Sequence, residues 1–357
     1  MTGATRITVR GDSPYDVVIG TGVQAELPTL LRPGVRAVAV IRPETLPGLA
    51  APVSAALAEA GHDVVDLPVP DGERAKTVEV AAGLWSALGR HGITRSDAVV
   101  GVGGGATTDL AGFVAGTWLR GVQVVLVPTT LLAMVDAAVG GKNGIDTPEG
   151  KNLVGTFLPP AGVLCELSTL AGMPRDDYRA GLAEVIKGGF IADPEILRLV
   201  EADPEGATRP DGPHTRELIE RKVRVKADVV GADLREAGLR EILNYGHTLA
   251  HAIEREERYR IRHGEAVAIG MVYAAELSRL AGRADLVGRT RAVLAGVGLP
   301  VSYRGDAWPR LREHMRLDKK NRGAQQRFVV LDDLARPGRL EDPSEELLER
   351  AYKEVSA

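Results

Sequence analysis

The 357-residue chain has very little cysteine, with Cys165 as its single thiol. One thiol excludes an internal disulfide and any cysteine-rich zinc or iron–sulfur site. Chains without a disulfide framework are typical of reducing compartments, so the sequence predicts a cytoplasmic protein. The first residues, MTGATRITVRGDSPYDV, contain no apolar core of the kind that a secretory signal requires, which agrees with this prediction.

The chain also lacks an uninterrupted apolar run, because its most apolar stretch, residues 122–141, is broken by Gln123, Pro128 and Asp136. A membrane-spanning helix needs about 20 consecutive apolar residues, so no membrane association is expected. The formal net charge is only −4, from 44 basic and 48 acidic residues. No overall field attracts nucleic acid or anionic lipid, and neither is expected as a partner. An anionic ligand must instead be held by a local group of lysines and arginines.

Internal repeats and low-complexity tracts are absent too, and the apolar fraction of 44% with 26% charged residues is that of a globular protein. Short β-branched runs alternate with helical patterns in the first half, which predicts a mostly parallel sheet covered by helices. Strands are expected at 37–41, 62–67, 96–103 and 122–128.

From residue 173 onward nearly every segment has the periodicity of a helix. One of these is a single helix over 238–258, and a late strand is expected at 327–331. The fold class predicted is therefore an α/β domain over residues 1–172 followed by an all-α domain over residues 173–357.

The segment GVGGGATTDLAG, residues 101–112, follows one predicted strand and opens a predicted helix. Its three glycines, Gly103, Gly104 and Gly105, permit close approach of a ligand, and the helix N-terminus offers N–H groups to a phosphate. The same triplet equally suits a tight strand–helix turn without a ligand. It also departs from the GxGxxG fingerprint of dinucleotide-binding proteins.

Two Gly-Lys pairs, which end in Lys142 and Lys151, come shortly after the fourth strand. Asn152 follows the second pair, and Asp136 lies upstream among apolar residues. A glycine beside a lysine lets the cation reach a ligand that also contacts the backbone. We predict an anion-binding site here, although two lysines of a surface loop would show the same pattern.

A polar stripe runs along the predicted helix 238–258, where Arg240, Asn244, His247 and His251 recur at spacings of 4, 3 and 4 residues. Solvated faces favour lysine and glutamate, so histidine and asparagine favour a functional site. Two histidines with one carboxylate and an open position form the usual catalytic zinc site. Spacing alone leaves open which three of five candidates bind an ion: His247, His251, His263, Glu184 and Glu265.

A series of segments from DGERAK at residue 71 to LDKK at residue 320 resembles, in order, the motifs of the 3-dehydroquinate synthase family. The series includes GGGATTDLAGF, VPTTLLAMVDAAVGGK, GLAEVIK, REAGLREILNYGHTLAHAIE and RHGEAVAIGM. The resemblance implies an NAD-binding α/β domain, a helical domain and an active site between them. It also implies a homodimer that uses NAD and one divalent metal, zinc or cobalt.

The substrate implied by this resemblance is 3-deoxy-D-arabino-heptulosonate 7-phosphate, and the products are 3-dehydroquinate and phosphate. Transient oxidation of C5 by NAD permits phosphate elimination, the hydride returns, and an intramolecular aldol step closes the ring. The net reaction is that of a carbon–oxygen lyase of the shikimate pathway, which leads to chorismate and the aromatic amino acids. Alternatives are a sister sugar-phosphate cyclase of secondary metabolism, a metal-dependent polyol dehydrogenase of the same fold, and a non-enzymatic NAD-binding protein.

Carried over by motif position, the metal ligands would be Glu184, His247 and His263. His251 would contact the phosphate end of the substrate and relay protons, and Glu236 would support proton transfer. The rest of the implied catalytic and substrate-binding set is Arg120 (reaching the substrate of the partner subunit), Asp136, Lys142, Asn152, Lys187, Lys226, Arg240, Asn244 and one of Lys319 and Lys320.

The NAD contacts implied by the same motifs are Asp71, Gly72, Glu73, Lys76, Gly103, Gly104, Gly105, Asp109, Thr129, Thr130, Lys142, Lys151 and Thr169. The chain departs from the family pattern at Asn143, where threonine is usual, and at Leu158, where histidine or an aromatic residue is usual. Because Asn143 follows a lysine that is expected to bind substrate, this departure bears on substrate affinity.

Overall fold

The structure is a computed structural model that describes residues 3–322 and 326–356, with the side chains of residues 317–322 left out. The chain forms two compact units. The first comprises Met1–Met173 with Lys226–Arg235, and the second comprises Pro174–Val225 with Glu236–Ala357.

The first unit is built on a seven-stranded sheet with the strand order β1-β2-β9-β6-β5-β3-β4, and the strands β7 and β8 form a separate hairpin. Only β1 and β2 pair in antiparallel fashion within the large sheet. The strands are β1 Thr5–Val9, β2 Tyr15–Gly20, β3 Ala37–Pro43, β4 Asp63–Val69, β5 Ala98–Gly103, β6 Gln123–Pro128, β7 Lys142–Thr147, β8 Gly150–Phe157 and β9 Gly162–Glu166.

Every residue of β5 and β6 is buried, as expected for parallel strands that are covered on both faces. The helices of this unit are α1 Pro47–Glu59, α2 Val78–Arg90 and α3 Gly105–Thr117. The predicted mostly parallel α/β architecture is confirmed, and the four predicted strands correspond to β3, β4, β5 and β6. The sequence patterns missed β1, β2 and β9, which are short and lie toward one edge of the sheet.

The second unit is mainly helical, and it also contains a two-stranded hairpin. Its central helix is α9, in which residues 266–278 are all buried. The helices are α4 Arg175–Ile191, α5 Pro194–Ala202, α6 Pro204–Ala207, α7 Thr215–Ala232, α8 His247–Glu256, α9 His263–Leu280, α10 Val287–Gly296, α11 Trp308–Arg322 and α12 Glu345–Val355, and the hairpin strands are β10 Arg327–Asp333 and β11 Arg336–Glu341. None of these helices, within the described residues, is long and apolar enough to cross a membrane.

The last part of α7, from Lys226, groups with the first unit. Lys226 Nζ lies 2.7 Å from the Asp136 carboxylate. The backbone also approaches closely, because a Cβ at Gly11 would lie 3.3 Å from the Gly231 carbonyl oxygen. The domain limits expected from the sequence assign the whole of α7 to the second domain, because the helical periodicity is the same throughout this helix.

The prediction of one helix over 238–258 is wrong. A 3₁₀ helix spans Leu239–Asn244, and α8 begins only at His247. Between them Gly246 adopts a φ of +83°, which favours glycine and ends the first helix. Gly246 also packs closely against Gly270 of α9, where a Cβ would lie 1.9 Å from the Gly246 oxygen. The side chains before Gly246 therefore do not lie on the helix face that begins with His247.

Asn143 joins the two ends of the β7–β8 hairpin. Its side-chain amide donates hydrogen bonds to the carbonyl oxygens of Gly141 at 3.1 Å and Leu158 at 3.2 Å. The side chain occupies space left by Gly112 of α3, where a Cβ would lie 1.9 Å from Asn143 Oδ1. Asn143 is buried whereas its neighbour Lys142 is exposed, since consecutive strand side chains point to opposite faces. Asn143 and Leu158 thus interact with each other within the fold.

We predict that Gly112→Ala destabilises the protein, because the added methyl group overlaps the Asn143 side chain. The free energy of unfolding should fall by about 1–3 kcal/mol, as is typical of overpacking. Denaturant titration followed by circular dichroism measures this change. The penalty should shrink when Asn143→Ala is combined with Gly112→Ala.

Gly83→Ala is the matched control, since Gly83 lies within α2 and a Cβ there meets nothing within 4 Å. Alanine is favoured over glycine in an exposed helix by about 0.5–1 kcal/mol, so this variant should be as stable as the parent or more so. Equal stability of Gly112→Ala and Gly83→Ala would contradict the steric argument.

Candidate active site

The loops that follow the parallel strands of the first unit carry the residues expected to bind a nucleotide. All these strands run in one direction and therefore end at the same edge of the sheet. The strand order reverses at β3, which has β4 on one side and β5 on the other. Ligands of open α/β sheets bind at the carboxyl edge beside such a reversal. The residues lie at or after the ends of β4 (Asp71, Gly72, Glu73, Lys76), β5 (Gly103 as its last residue, then Gly104, Gly105 and Asp109), β6 (Thr129, Thr130) and β9 (Thr169).

Hydrogen bonds join these loops to one another. Thr129 N donates to the Gly103 oxygen at 2.9 Å, and the Thr45 hydroxyl donates to Asp71 Oδ2 at 2.7 Å. The other carboxylate oxygen of Asp71 is buried and has no hydrogen-bond partner among the described residues. A buried acceptor at this edge suits a ligand that brings a hydroxyl donor, such as a ribose.

The glycine triplet forms a tight strand–helix turn. A Cβ at Gly103 would lie 2.7 Å from Thr107, and one at Gly104 would lie 3.3 Å from Thr130, so the turn is tightly packed. The helix that follows, α3, begins without a side-chain hydrogen bond at its N-cap. Its first N–H groups are thus not capped by the N-cap side chain, which leaves them suited to an anion.

Lys76 is buried and joins three separate segments of the first unit. Its Nζ donates to Asp109 Oδ2 at 2.7 Å and to Asn152 Oδ1 at 2.5 Å. Burial alone would lower the pKa of Lys76, but the charges of Asp109 and Glu73 outweigh it and raise that pKa. Lys76 therefore stays charged and holds the β8 strand and α3 beside the loop after β4.

The other cations expected near a ligand in the first unit occupy different environments. Lys151 Nζ lies 3.1 Å from Glu73 Oε1, whereas Lys142 is exposed on β7. Lys226 donates to both the carbonyl and the carboxylate of Asp136. Arg120 is exposed in a turn where its φ is +67°.

Glu184, His247 and His263 come together in the second unit. His247 and His263 are the first residues of α8 and α9, and Glu184 lies within α4. Glu184 Oε1 lies 3.5 Å from His247 Nε2 and 3.7 Å from His263 Nε2. Two ligand atoms at about 2.0–2.1 Å from a tetrahedral zinc ion are separated by about 3.4 Å. The spacing of these atoms therefore fits a single ion.

The chemistry of this group also fits a metal. Glu184 is completely buried, and its Oε1 has no hydrogen bond of normal geometry within the described residues. His247 Nδ1 lies 3.3 Å from the Tyr245 oxygen, and His263 Nδ1 lies 3.2 Å from Glu254 Oε1. Contacts of this kind fix the ring orientation and leave each Nε2 for an ion, as in many carboxylate–histidine–zinc arrangements.

The surroundings shift the pKa values of the two histidines in opposite directions. Burial and the charge of Lys187 hold the pKa of His247 well below its usual value. For His263, burial acts in the same sense but is outweighed by the neighbouring carboxylates of Glu184 and Glu254, which raise the pKa to about 10. Because metals bind neutral imidazole, a divalent ion would take the place of the proton between His263 and Glu184.

Two buried lysines approach the carboxylate of Glu184. Lys187 Nζ lies 2.7 Å and Lys222 Nζ 3.8 Å from Glu184 Oε2. Burial would raise the pKa of Glu184, but Lys187, the histidines and Lys222 outweigh it and hold that pKa well below its usual value. Lys222 was not among the site residues expected from the sequence. The available signal was its position on the buried stripe of α7, one helical turn after Leu218.

The remaining candidates of the second unit lie outside the three-ligand group. The His251 ring is 5.4 Å from that of His247, one turn along α8. Glu265 instead caps the start of α9 by accepting a hydrogen bond from Arg262 N at 3.2 Å. Asn244 donates to Glu236 Oε1 at 2.7 Å, and Arg240 is buried. The side chains of Lys319 and Lys320 lie outside the described residues.

Two solved structures that closely match this fold are those of sugar phosphate cyclases. A 2-deoxy-scyllo-inosose synthase complexed with carbaglucose-6-phosphate, NAD⁺ and Co²⁺ has a TM-score of 0.88 and 25% identity, covering 98% of this chain and 100% of its own. ValA, the 2-epi-5-epi-valiolone synthase of Streptomyces hygroscopicus subsp. jinggangensis 5008 with NAD⁺ and Zn²⁺ bound, has a TM-score of 0.87 and 26% identity over 99% of both chains. The fold is therefore that of the sugar phosphate cyclases.

Sequence comparison narrows this class to one family. Residues 66–180 match the 3-dehydroquinate synthase N-terminal family, and residues 181–321 match the 3-dehydroquinate synthase C-terminal family. A 3-dehydroquinate synthase of Thermobifida fusca is 67% identical over 99% of this chain and 96% of its own length. The chain is an enzyme of the 3-dehydroquinate synthase family, and the resemblance seen in its motifs is confirmed.

We predict that His247→Ala loses its bound divalent metal, because one of three ligand atoms is removed. His251→Ala is the matched control on the same helix, and it should keep a full equivalent of metal. Metal content after dialysis against a weak chelator, measured by plasma mass spectrometry, separates the two variants. Full metal content in His247→Ala, or metal loss in His251→Ala, would show that the ligands are assigned wrongly.

Proposed function

We propose that this enzyme converts 3-deoxy-D-arabino-heptulosonate 7-phosphate to 3-dehydroquinate and phosphate, a step toward chorismate and the aromatic amino acids. The observation that carries the proposal is the group formed by the buried Glu184 and the partly exposed His247 and His263, in a chain that matches this family over its length. The cyclases with the same fold keep NAD⁺ and Co²⁺ or Zn²⁺ in their solved structures.

NAD would be held at the carboxyl edge of the large sheet. The N-terminus of α3 would receive the pyrophosphate, and the buried Asp71 oxygen would accept a ribose hydroxyl. Bound NAD would supply the transient oxidation of the substrate at C5 and the later return of the hydride. The residues proposed to contact it are Asp71, Gly72, Glu73, Lys76, Gly103, Gly104, Gly105, Asp109, Thr129, Thr130, Lys142, Lys151 and Thr169.

Glu184, His247 and His263 would hold one zinc or cobalt ion. The ion would supply positive charge that stabilises alkoxide character at the substrate hydroxyl during oxidation. Lys187 keeps Glu184 ionised, so the carboxylate is ready to act as a ligand. The tyrosine carbonyl and Glu254 hold the two imidazoles in the orientation that the ligand role needs.

Proton transfer and substrate binding would fall to further side chains. His251 lies one helical turn from a ligand histidine, which places an acid or base close to the reacting hydroxyls. Glu236 is held by Asn244 and would support the same proton transfer. A phosphorylated sugar acid carries two anionic groups and requires local cations, although the whole chain has a net charge of −4. Those proposed are Arg120, Lys142, Lys187, Lys226, Arg240 and one of Lys319 and Lys320, with Asp136 and Asn152 binding hydroxyls.

The test is an assay with the heptulosonate phosphate, a catalytic amount of NAD⁺ and Zn²⁺ or Co²⁺. We expect stoichiometric phosphate release and 3-dehydroquinate, with no net accumulation of NADH because the hydride returns. Net NADH formation would instead identify a polyol dehydrogenase. Phosphate release only from sedoheptulose 7-phosphate or glucose 6-phosphate would identify a sister cyclase.

We also propose that the enzyme is a cytoplasmic homodimer that associates through the β7–β8 hairpin. Three apolar side chains of β8 are exposed, namely Leu153 at 52%, Val154 at 45% and Phe157 at 47%. In the described part of the chain β8 pairs only with β7, so its outer edge is open. Exposed apolar side chains along an open strand edge favour association with another chain.

The double variant Val154→Asp/Phe157→Asp should shift the protein from dimer to monomer, because both charges would be buried at the proposed interface. Sedimentation equilibrium measures the change. Val78→Asp is the control, since Val78 is 52% exposed at the start of α2, where an acidic residue is favoured. A parent protein that is monomeric, or a double variant that remains dimeric, would rule out this interface.

A further inference from the structure

The 3₁₀ helix Leu239–Asn244 carries Arg240 and Asn244, which the proposed function assigns to the substrate. Arg240 is buried, and Asn244 donates to Glu236 Oε1 at 2.7 Å. A short 3₁₀ helix is barely stable by itself, because its hydrogen bonds have poor geometry and are few. Contacts with other elements therefore set the position of this helix.

The side chains of this 3₁₀ helix divide between separate faces, because residues three apart lie on the same face. Arg240 shares a face with Leu243, and this face is buried. Glu241 shares another face with Asn244, which lines a small cavity together with Val329 of β10. The face that carries Glu241 is therefore the one turned toward the β10–β11 hairpin.

Two arginines of the β10–β11 hairpin hold the carboxylate of Glu241. Arg339 Nε lies 2.8 Å from Glu241 Oε2, and Arg327 Nε lies 3.3 Å from Glu241 Oε1. Val329 pairs with Arg339 across the hairpin and lies two residues after Arg327, so both arginines project from the same face. Arg339 Nη2 also donates to the Gly238 oxygen at 2.7 Å, directly before the 3₁₀ helix.

The hairpin that supplies these arginines is itself attached to the core of the second unit. Residues 328–331 of β10 are buried, and Leu331 N accepts support from α9 by donating to the Ser278 hydroxyl at 3.0 Å. Arg283, which follows α9, donates from Nη2 to the Arg339 oxygen at 2.9 Å. The ion pairs of Glu241 therefore connect the 3₁₀ helix to strands that are anchored on α9.

We propose that Glu241 is a positioning residue for the substrate. Its two ion pairs fix the 3₁₀ helix on the β10–β11 hairpin and thereby hold Arg240 and Asn244 in the positions in which they bind the sugar phosphate. Glu241 itself takes no part in binding, because both of its carboxylate oxygens are engaged by arginines of the hairpin. The proposal rests on the substrate-binding role that the proposed function gives to Arg240 and Asn244, and it adds the residue that orients them.

The test compares the full-length parent with Glu241→Ala, which removes both ion pairs. The KM for the heptulosonate phosphate should rise by about tenfold or more, because a misplacement of about 1 Å can cost as much as about 100-fold. The kcat should change much less, as expected when an interaction is lost equally from the ground state and the transition state. Steady-state phosphate release with NAD⁺ and Zn²⁺ gives both constants. Metal content should equal that of the parent, because the ligand His247 lies beyond the break at Gly246.

A further set of variants tests whether Glu241 acts through the two arginines. Arg327→Met/Arg339→Met should raise KM about as much as Glu241→Ala does. Adding Glu241→Ala to this double variant should cause little further change, because residues that act as one unit are not additive. A triple variant whose KM increase equals the product of the separate increases would overturn the proposal.

Glu201→Ala is the matched control in the same unit. Glu201 of α5 accepts hydrogen bonds from Arg289 of α10 at 2.7 and 2.9 Å, and neither helix carries a residue of the proposed site. Its KM should equal that of the parent. Glu241→Gln keeps the shape of the side chain in case alanine disturbs folding, and it should raise KM to a smaller extent. Failure of both Glu241 variants to fold would show a purely structural role and would overturn the proposal.

Amide hydrogen exchange of the proteins without substrate tests the position of the 3₁₀ helix independently of turnover. Peptides that cover residues 236–244 should exchange faster in Glu241→Ala than in the parent or in Glu201→Ala, because local opening becomes easier. Unchanged exchange in these peptides would contradict the proposal, and so would faster exchange with an unchanged KM. If the parent releases no phosphate from the heptulosonate phosphate, the proposed function fails, whereas the exchange data still decide whether Glu241 holds this helix.

Discussion

The second unit depends on the burial of one carboxylate, that of Glu184. An ionised carboxylate removed from water is stable only when cations or hydrogen-bond donors surround it. Here two lysines and two imidazoles meet this need, and they come from α4, α7, α8 and α9. The requirement to surround a single charge therefore fixes how four helices pack. A displacement of any of these helices would remove a group that compensates the buried carboxylate and would therefore destabilise the fold.

Glycine makes this convergence possible. Gly188 leaves space for the stem of Lys222, and Gly270 lets α9 touch the backbone at Gly246. A Cβ at Gly264 would lie 1.8 Å from the Ala180 oxygen, so α9 begins in direct contact with α4. These positions follow from the need for close approach around the ligands. They explain why GLAEVIKGG and RHGEAVAIG combine small residues with charged ones.

The sequence predicted secondary structure best for strands that are buried on both faces. It was least informative about contacts between residues that are far apart along the chain. The β-branched runs of β3, β5 and β6 predict strands because both faces are covered. The edge strand β1 has only alternate residues buried, and β9, although buried between β2 and β6, has the short sequence GVLCE with a single β-branched residue. Residue spacing could not choose among five possible metal ligands, since α4 and α9 meet α8 only through tertiary packing. The apolar periodicity of a helix continues through Gly246, but the positive φ of this glycine interrupts the helix there. Lys222 was missed because a charged residue on a buried stripe is rare.

The break in the helix at Gly246 affects the electrostatic potential at the group formed by Glu184, His247 and His263. Because α8 and α9 both start at a ligand histidine, the positive ends of two helix dipoles lie at the same group of side chains. Each imidazole projects from the first residue of its helix, where the helix dipole disfavours added positive charge, although at α9 the acidic Glu265 offsets part of this effect. The protein thus offers a divalent ion good ligands inside an unfavourable potential. A divalent ion held in this way would act as a strong Lewis acid toward an oxygen that approaches it.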